Sequence, residues 1–322
     1  MADARSTRYR DETTVYAGVT GENLLVRSAN PVNYHQAIAA PDRCAPIDID
    51  AKLFVPDGEP RPGATVIVVP GSLGVGPNHE RHAESLVENG YVVCVVDPFG
   101  ARAVESTYEN QTAYSFAASA FDVLATVRTI SERPEIDPER IAAQGHSRGG
   151  AAVLIASCRR FADPILGPDA GLAATYAVYP WCGHQFLDPS VGRTRVRAII
   201  GERDEWCSVQ EAQGQINAMR ASGADASIRI VEAALHSFDR LEKPNRLDDA
   251  AIAPNAPTVM LTDDGAMIDP ITSDPNADLT DRDVFVAAAR RGWGVKGASI
   301  GGVGDEPDIF QADMLAFHNQ LR

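Results

Sequence analysis

A serine hydroxyl attacks a carbonyl carbon only when a base takes its proton and a third group orients that base. One stretch of this chain, Gly145-His146-Ser147-Arg148-Gly149-Gly150, presents a serine in the pattern G-x-S-x-G. Arg140–Gln144 before it is short and mostly apolar, which reads as a buried strand, and Ala151–Cys158 after it is an apolar helical stretch. Strand, sharp turn and helix together make the pattern a nucleophile elbow. Residues 145, 149 and 150 have to be small, because a side chain there would collide with the neighbouring strand or helix. Such a turn lifts Ser147 Oγ above the sheet edge and points backbone N–H groups at its front.

In an elbow of this type the partners follow in the order serine, acid, histidine, each in a loop after a strand. The apolar run Arg195–Ile200 ends in Gly201-Glu202-Arg203-Asp204-Glu205, and Ser227–Val231 leads into Glu232–Phe238 with His236 inside it. Both loops fall at carboxyl ends of predicted strands, where open α/β sheets bind their ligands. Asp204 is the expected acid, with Glu202 the serious rival and Glu205 a weaker one. His236 is the expected base, because of the seven histidines it alone closely follows the last predicted sheet strand. His146 is adjacent to the serine and cannot turn its ring onto that hydroxyl. His184 ends Tyr179–His184 beside Trp181, and both are candidates to line the pocket; a locally hydrogen-bonded loop histidine is the plainer reading of His184. The oxyanion donors are expected to be the backbone N–H of Arg148, at the start of the helix, and that of Ser72, with Leu73 the runner-up. The last two lie in the glycine-rich loop Pro70–Gly76, which lacks the Lys-Ser/Thr of a phosphate loop. Asp274–Asp278 lacks the glycine and glutamate of a calcium loop and reads as a solvated turn. This chemistry calls for no metal and no cofactor.

The elements that must carry these loops are legible as alternating strands and helices. Ile47–Val55 alternates like a half-exposed strand, and Thr65–Val69 and Tyr91–Val96 are near-continuous apolar runs like strands covered on both faces. Strands at 140–144, 173–179, 195–200 and 227–231 follow, with helical spacing at about 79–87, 112–131 and 209–221. That order implies a mostly parallel sheet with right-handed crossovers. Residues 1–46 read as an irregular arm and 47–322 as one domain, with an insertion at about 243–307 that either covers the site or decorates the fold. Amphipathic Ile309–Leu321 reads as the closing helix.

Composition narrows the partners. The chain has 322 residues and a formal charge of −15, which disfavours nucleic acid and anionic membrane surfaces. Its five cysteines, at 44, 94, 158, 182 and 207, form no C-x-x-C pair. There is no apolar leader and no run long enough to span a bilayer, so the expectation is a reduced, soluble, cytoplasmic protein.

Taken together, Pro70–Gly76, Asn89–Tyr91, Asp97–Arg102, Asp137–Ile141 leading into the elbow, Gly201–Asp204 and His236–Arg240 resemble the dienelactone hydrolase family of α/β-hydrolases. The likeness covers about residues 47–240 and the closing helix. It implies an α/β-hydrolase fold, with helices on both faces of a mostly parallel sheet, and hydrolysis of a small-molecule carboxylic ester through an acyl-enzyme. The namesake enzymes carry cysteine where this chain has Ser147, so a hydroxyl here needs fuller help from Asp204 and His236, and the lactone substrate does not carry over. Arg102 and Arg240 are similar in placement to arginines that hold the substrate carboxylate in the namesake enzymes; the plainer reading is that each pairs with a local carboxylate such as Asp97 or Asp239. Two other readings stay open: a peptidase or acyltransferase on the same fold, and a non-catalytic ligand-binding protein.

Overall fold

The computed structural model describes residues 10–58 and 62–322. Eight strands form its main sheet: β1 (Glu22–Asn30), β2 (Ala45–Phe54), β3 (Gly63–Val69), β4 (Val92–Asp97), β5 (Ile136–His146), β6 (Ala174–Val178), β7 (Arg195–Gly201) and β8 (Ala226–Val231). Their spatial order is β1-β2-β4-β3-β5-β6-β7-β8. The pairs β1–β2 and β2–β4 are antiparallel and the rest parallel. The apolar runs fall in the middle of this sheet, where every residue of β4 and β6 is buried, as expected of parallel strands covered on both faces.

Helices α1 (Tyr34–Ala39), α2 (Pro77–Glu88), α3 (Phe116–Ser131), α4 (Arg148–Ser157), α5 (Arg159–Leu166), α6 (Val209–Ala221), α7 (Asp281–Arg290) and α8 (Glu306–His318) connect and cover the strands. Helix α3 starts at Phe116 rather than near Thr112, because Ser115 caps it by accepting the Ala118 N–H at 2.9 Å. Among the described residues no helix is long and apolar enough to cross a membrane. All five cysteines are buried and free.

Two segments are more ordered than their sequences indicate. Residues 22–30, expected to be irregular, are the edge strand β1, in register with β2 from Glu22↔Leu53 to Asn30↔Ala45. Only one side of an edge strand meets the core, and this one buries Val26, Ser28 and Ala29, too sparse a pattern to show periodicity. The segment after residue 243 holds β9 (Asn245–Ile252) and β10 (Val295–Ile300), an antiparallel pair with α7 between them in sequence. Val259–Leu261 also runs parallel to the short strand His184–Phe186.

Candidate active site

Strand β5 is flanked by β3 and β6, with Gly145 in register with Val69 and Ala177. At its end Ser147 takes φ 55° and ψ −112°, a conformation that a non-glycine residue holds only when its surroundings impose it. The surroundings are backbone. A Cβ on Gly149 would lie 2.5 Å from Val69 O, one on Gly150 would lie 2.9 Å from Pro180 Cα, and one on Gly145 would strike the Gly149 carbonyl. Ser147 N–H donates to Val178 O at 2.8 Å, which ties the elbow to β6.

Three loops converge on that hydroxyl. His236 Nε2 is 3.0 Å from Ser147 Oγ, and His236 Nδ1 is 2.7 Å from Asp204 Oδ2. A carboxylate only accepts, so Nδ1 carries the proton and Nε2 is left to accept the serine hydrogen. Asp204 Oδ1 accepts the Trp206 and Cys207 N–H groups, each at 2.8 Å, so the carboxylate is held from behind. Its two rivals are occupied elsewhere. Glu202 accepts the Ala233 N–H at 2.9 Å, and Glu205 accepts the Ser299 N–H at 2.9 Å. Strand β10 thus reaches the acid loop, and just beyond its end Gly301 N–H donates to His236 O at 3.0 Å.

The loop after β3 lies directly against the elbow: a Cβ on Gly71 would sit 3.2 Å from Ser147 Cβ. Ser72 is fixed on both sides, its carbonyl accepting Thr107 N–H at 2.8 Å and its hydroxyl meeting Gln111 Oε1 at 3.1 Å. The backbone N–H groups of Arg148, Ser72 and Leu73 have no acceptor among the described residues, so the expected oxyanion donors are unspent. Arg148 also has a role the sequence did not disclose. Its buried guanidinium donates to Gln111 O (2.8 Å), Tyr114 O (2.6 Å) and Ser119 Oγ (3.1 Å), and it packs against the Tyr114 and Phe116 rings.

The cleft above Ser147 has two lobes that share Ser72, Ser147 and Trp206. One is lined by the aromatic and aliphatic side chains Phe116, Trp181, Ile252 and Phe285. The other is lined by Asn78, His79, Tyr179 and Arg240 beside Ile300. Ile252, Phe285 and Ile300 come from the 243–307 segment, which therefore lines the site. A larger cleft at the other end of the sheet, by Tyr91, Arg140 and Arg322, contains none of these loops.

Trp181 and Arg240 thus line the cleft as expected, whereas Arg102 and His184 do not. Arg102 makes a buried pair with Asp122 (2.8 and 3.0 Å) and also donates to Asn30 Oδ1 and Pro98 O, both at 2.7 Å. Its partner is neither Asp97 nor Asp239 but a carboxylate on α3, and every guanidinium nitrogen is committed. His184 lies behind the aromatic lobe, its ring edge-on to Trp181 and Phe116 and its Nδ1 3.2 Å from Tyr34 Oη. Burial pushes its pKa down to about 3.

Sequence reasoning also missed the buried polar cluster beneath the cleft. Asp239 accepts from His82 Nε2, Asn78 Nδ2 and Tyr179 Oη, each at 2.8 Å. Burial alone would raise this carboxyl; the donors around it, His82 first, hold it well below the usual range. Cys207 is the other addition. With Asp204 and His236 it offers ligand atoms within 4.8 Å of one another. A metal there would have to break the Nδ1–H···Oδ2 bond and ionise a thiol whose pKa burial pushes well up, so the trio does not fit a metal.

A mostly parallel eight-stranded sheet whose central strand delivers a serine elbow to the acid and histidine loops is an α/β-hydrolase fold. The dienelactone hydrolase family model matches residues 49–259, about two thirds of the chain, and this chain belongs to that family of hydrolases. The esterase Est22 superposes with a TM-score of 0.55 at 13% identity, covering 99% of this chain and 84% of that one. Est1E of Butyrivibrio proteoclasticus, solved with ferulic acid bound, gives a TM-score of 0.45 at 16% identity over 59% of this chain and 88% of its own. Thermogutta terrifontis esterase 2 gives 0.47 at 15% identity over 60% and 80%. Among curated proteins, none matches.

Proposed function

We propose that this chain is a serine carboxylic-ester hydrolase acting on a small-molecule ester. The observation that carries the reading is the unbroken hydrogen-bond chain from Ser147 Oγ through His236 to Asp204. Ser147 Oγ attacks the ester carbonyl carbon as His236 Nε2 takes its proton. Asp204 keeps the ring in the productive tautomer and stabilises the imidazolium. The Arg148 and Ser72 N–H groups receive the oxyanion, each contributing about 3 kcal/mol to the transition state. The intermediate collapses as His236 hands its proton to the leaving alkoxide. Water then attacks the acyl-enzyme, losing a proton to His236, and Ser147 regains its hydrogen as the acid departs.

The cleft supports an ester with one apolar half, since the aromatic lobe offers Trp181, Phe116 and Phe285. Arg240, which lines the second lobe, suits a carboxylate as a bidentate donor. A fluorophosphonate probe tests the serine chemistry directly. It should label the protein and fail to label Ser147→Ala, and labelling that survives this substitution would refute the proposal. Short-chain p-nitrophenyl esters assayed against thioester and peptide substrates separate ester hydrolysis from acyl transfer and proteolysis; turnover confined to peptides or thioesters would overturn the ester assignment.

A further inference from the structure

The two lobes of the cleft stand differently toward the reacting atoms. His236 lines only the lobe beside Ile300, and Arg148, whose backbone N–H is an expected oxyanion donor, lines only the aromatic one. Ser72, Ser147 and Trp206 border both. An ester carbonyl attacked by Ser147 Oγ has three other groups to place. Its oxygen turns to the backbone N–H groups, and its leaving oxygen has to face His236 Nε2, which returns the proton. The lobe left for the acyl chain is the aromatic one.

One wall of that lobe comes from outside the family match. Thr280 caps α7, and buried Asp281 in its first turn accepts the Phe116 N–H at 2.6 Å, which ties α7 to the start of α3. Phe285 is four residues on from Asp281, so both lie on one face of the helix. Its ring is 18° from parallel to Phe116, with centroids 6.4 Å apart, and 6.2 Å from Trp181; Phe116 and Trp181 themselves stack at 4.3 Å. Trp181 and Phe285 are only partly buried, so ring surface is left for a bound molecule.

A lobe lined by aromatic rings gains most from a flat apolar group that packs against their faces and edges. We propose that Phe285 is the specificity-determining residue of an acyl subsite for aryl-alkyl carboxylic acids. The aryl group of the acid half packs against Phe285, Trp181 and Phe116, and the alcohol leaves through the lobe lined by His236. The preferred substrates are then esters whose acid half, rather than alcohol half, carries the ring. The inference rests on the ester-hydrolase reading and adds which half of the ester is the apolar one and which residue selects it. Phe285 lies beyond residues 49–259, so the chain after the matched residues sets this preference.

The test uses two isomers, methyl 3-phenylpropanoate and 2-phenylethyl acetate, which carry the same phenylethyl group on opposite sides of the ester. Both release an alkyl alcohol. The unsubstituted enzyme should hydrolyse the phenylpropanoate with a kcat/KM about tenfold higher, the scale on which an apolar pocket separates ligands. Phe285→Ala should bring that ratio close to one, mainly by raising KM for the phenylpropanoate, and Phe285→Leu, which stays apolar but loses the ring, should keep part of it. A ratio at or below one in the unsubstituted enzyme, or a ratio that Phe285→Ala leaves unmoved, would overturn the assignment. The first of these comparisons needs no variant, so it decides the matter even where Phe285→Ala fails to fold. Fluorophosphonate labelling of the unsubstituted enzyme keeps the two readings apart. If labelling is absent, the serine mechanism fails; if labelling is intact and the isomer ratio is at or below one, only the acyl subsite fails.

Discussion

Two histidine–aspartate pairs lie close together in this molecule. His236 meets Asp204 at 2.7 Å in the cleft, and His82 meets Asp239 at 2.8 Å in the buried cluster beneath it. The pairings are nearly identical in length, and both carboxylates are shielded from water. They differ at the far nitrogen of the ring. His236 Nε2 faces the Ser147 hydroxyl, whereas His82 Nδ1 is buried without a partner and the ring packs on Phe310 and His146. Pairing with a carboxylate orients an imidazole in either place; access to an exchangeable proton is what gives one of them chemistry to perform.

Substitutions can break this contrast. Ser147→Ala or His236→Ala should cost about 10⁵-fold or more in kcat on p-nitrophenyl butyrate with little change in the melting temperature. Asp204→Asn should cost about 10⁴-fold by favouring the wrong tautomer. Asp239→Asn should do the reverse, removing about 3 kcal/mol of stability in urea denaturation, the scale of a broken buried pair, with kcat within about tenfold. A deeper loss of kcat than Asp204→Asn produces would erase the distinction drawn between the pairs. Arg102→Met should also destabilise by about 3 kcal/mol and should slow acidic and neutral esters alike, because its partner is Asp122 and not substrate.

The smallest effect is one of pH. Burial holds His79, His184 and His318 near pKa 3, and it also lowers His82 and His146. These rings are neutral in the folded state, while the unfolded chain protonates them below about pH 6.5, so stability is present above that pH and is lost as pH falls. Glu211 and Asp281, raised by burial to about 6, act in the opposite sense below about pH 6, as do Asp122 and Glu306, which burial also raises, so these four carboxyls offset part of the slope set by the five histidines. The melting temperature should therefore fall between about pH 6.5 and about pH 5, and His318→Gln should flatten the slope by up to about 1.4 kcal/mol per pH unit. An unsloped profile would show that some of these rings are charged when buried.

Legibility in the sequence followed physical range. The elbow is local, and its glycines, strand and helix are neighbours in the chain, so Ser147 could be read from one window. His236 and Asp204 were accessible because a parallel sheet delivers its loops to one edge. The choice of Asp204 over Glu202 was not fixed by alternation; it depends on which backbone N–H groups each carboxylate meets, and Glu202 is claimed by Ala233 across the loop. The partner of Arg102 was not legible, because Asp122, on a buried face of α3, gave no sign of where its charge would go. His79 passed unnoticed because a histidine early in a helix looks like a surface residue until its second nitrogen is found buried.

The strand beyond the family match carries a further consequence. Ser147, Asp204 and His236 all lie within residues 49–259, yet two amide hydrogens farther along, on Ser299 and Gly301, tether the loops bearing Asp204 and His236 to each other. The three side chains of the proposed relay come from one stretch of chain and their alignment is underwritten by another. Grafting the shorter domain alone onto a different tail would carry over all the reagents and leave their mutual distance to the new tail.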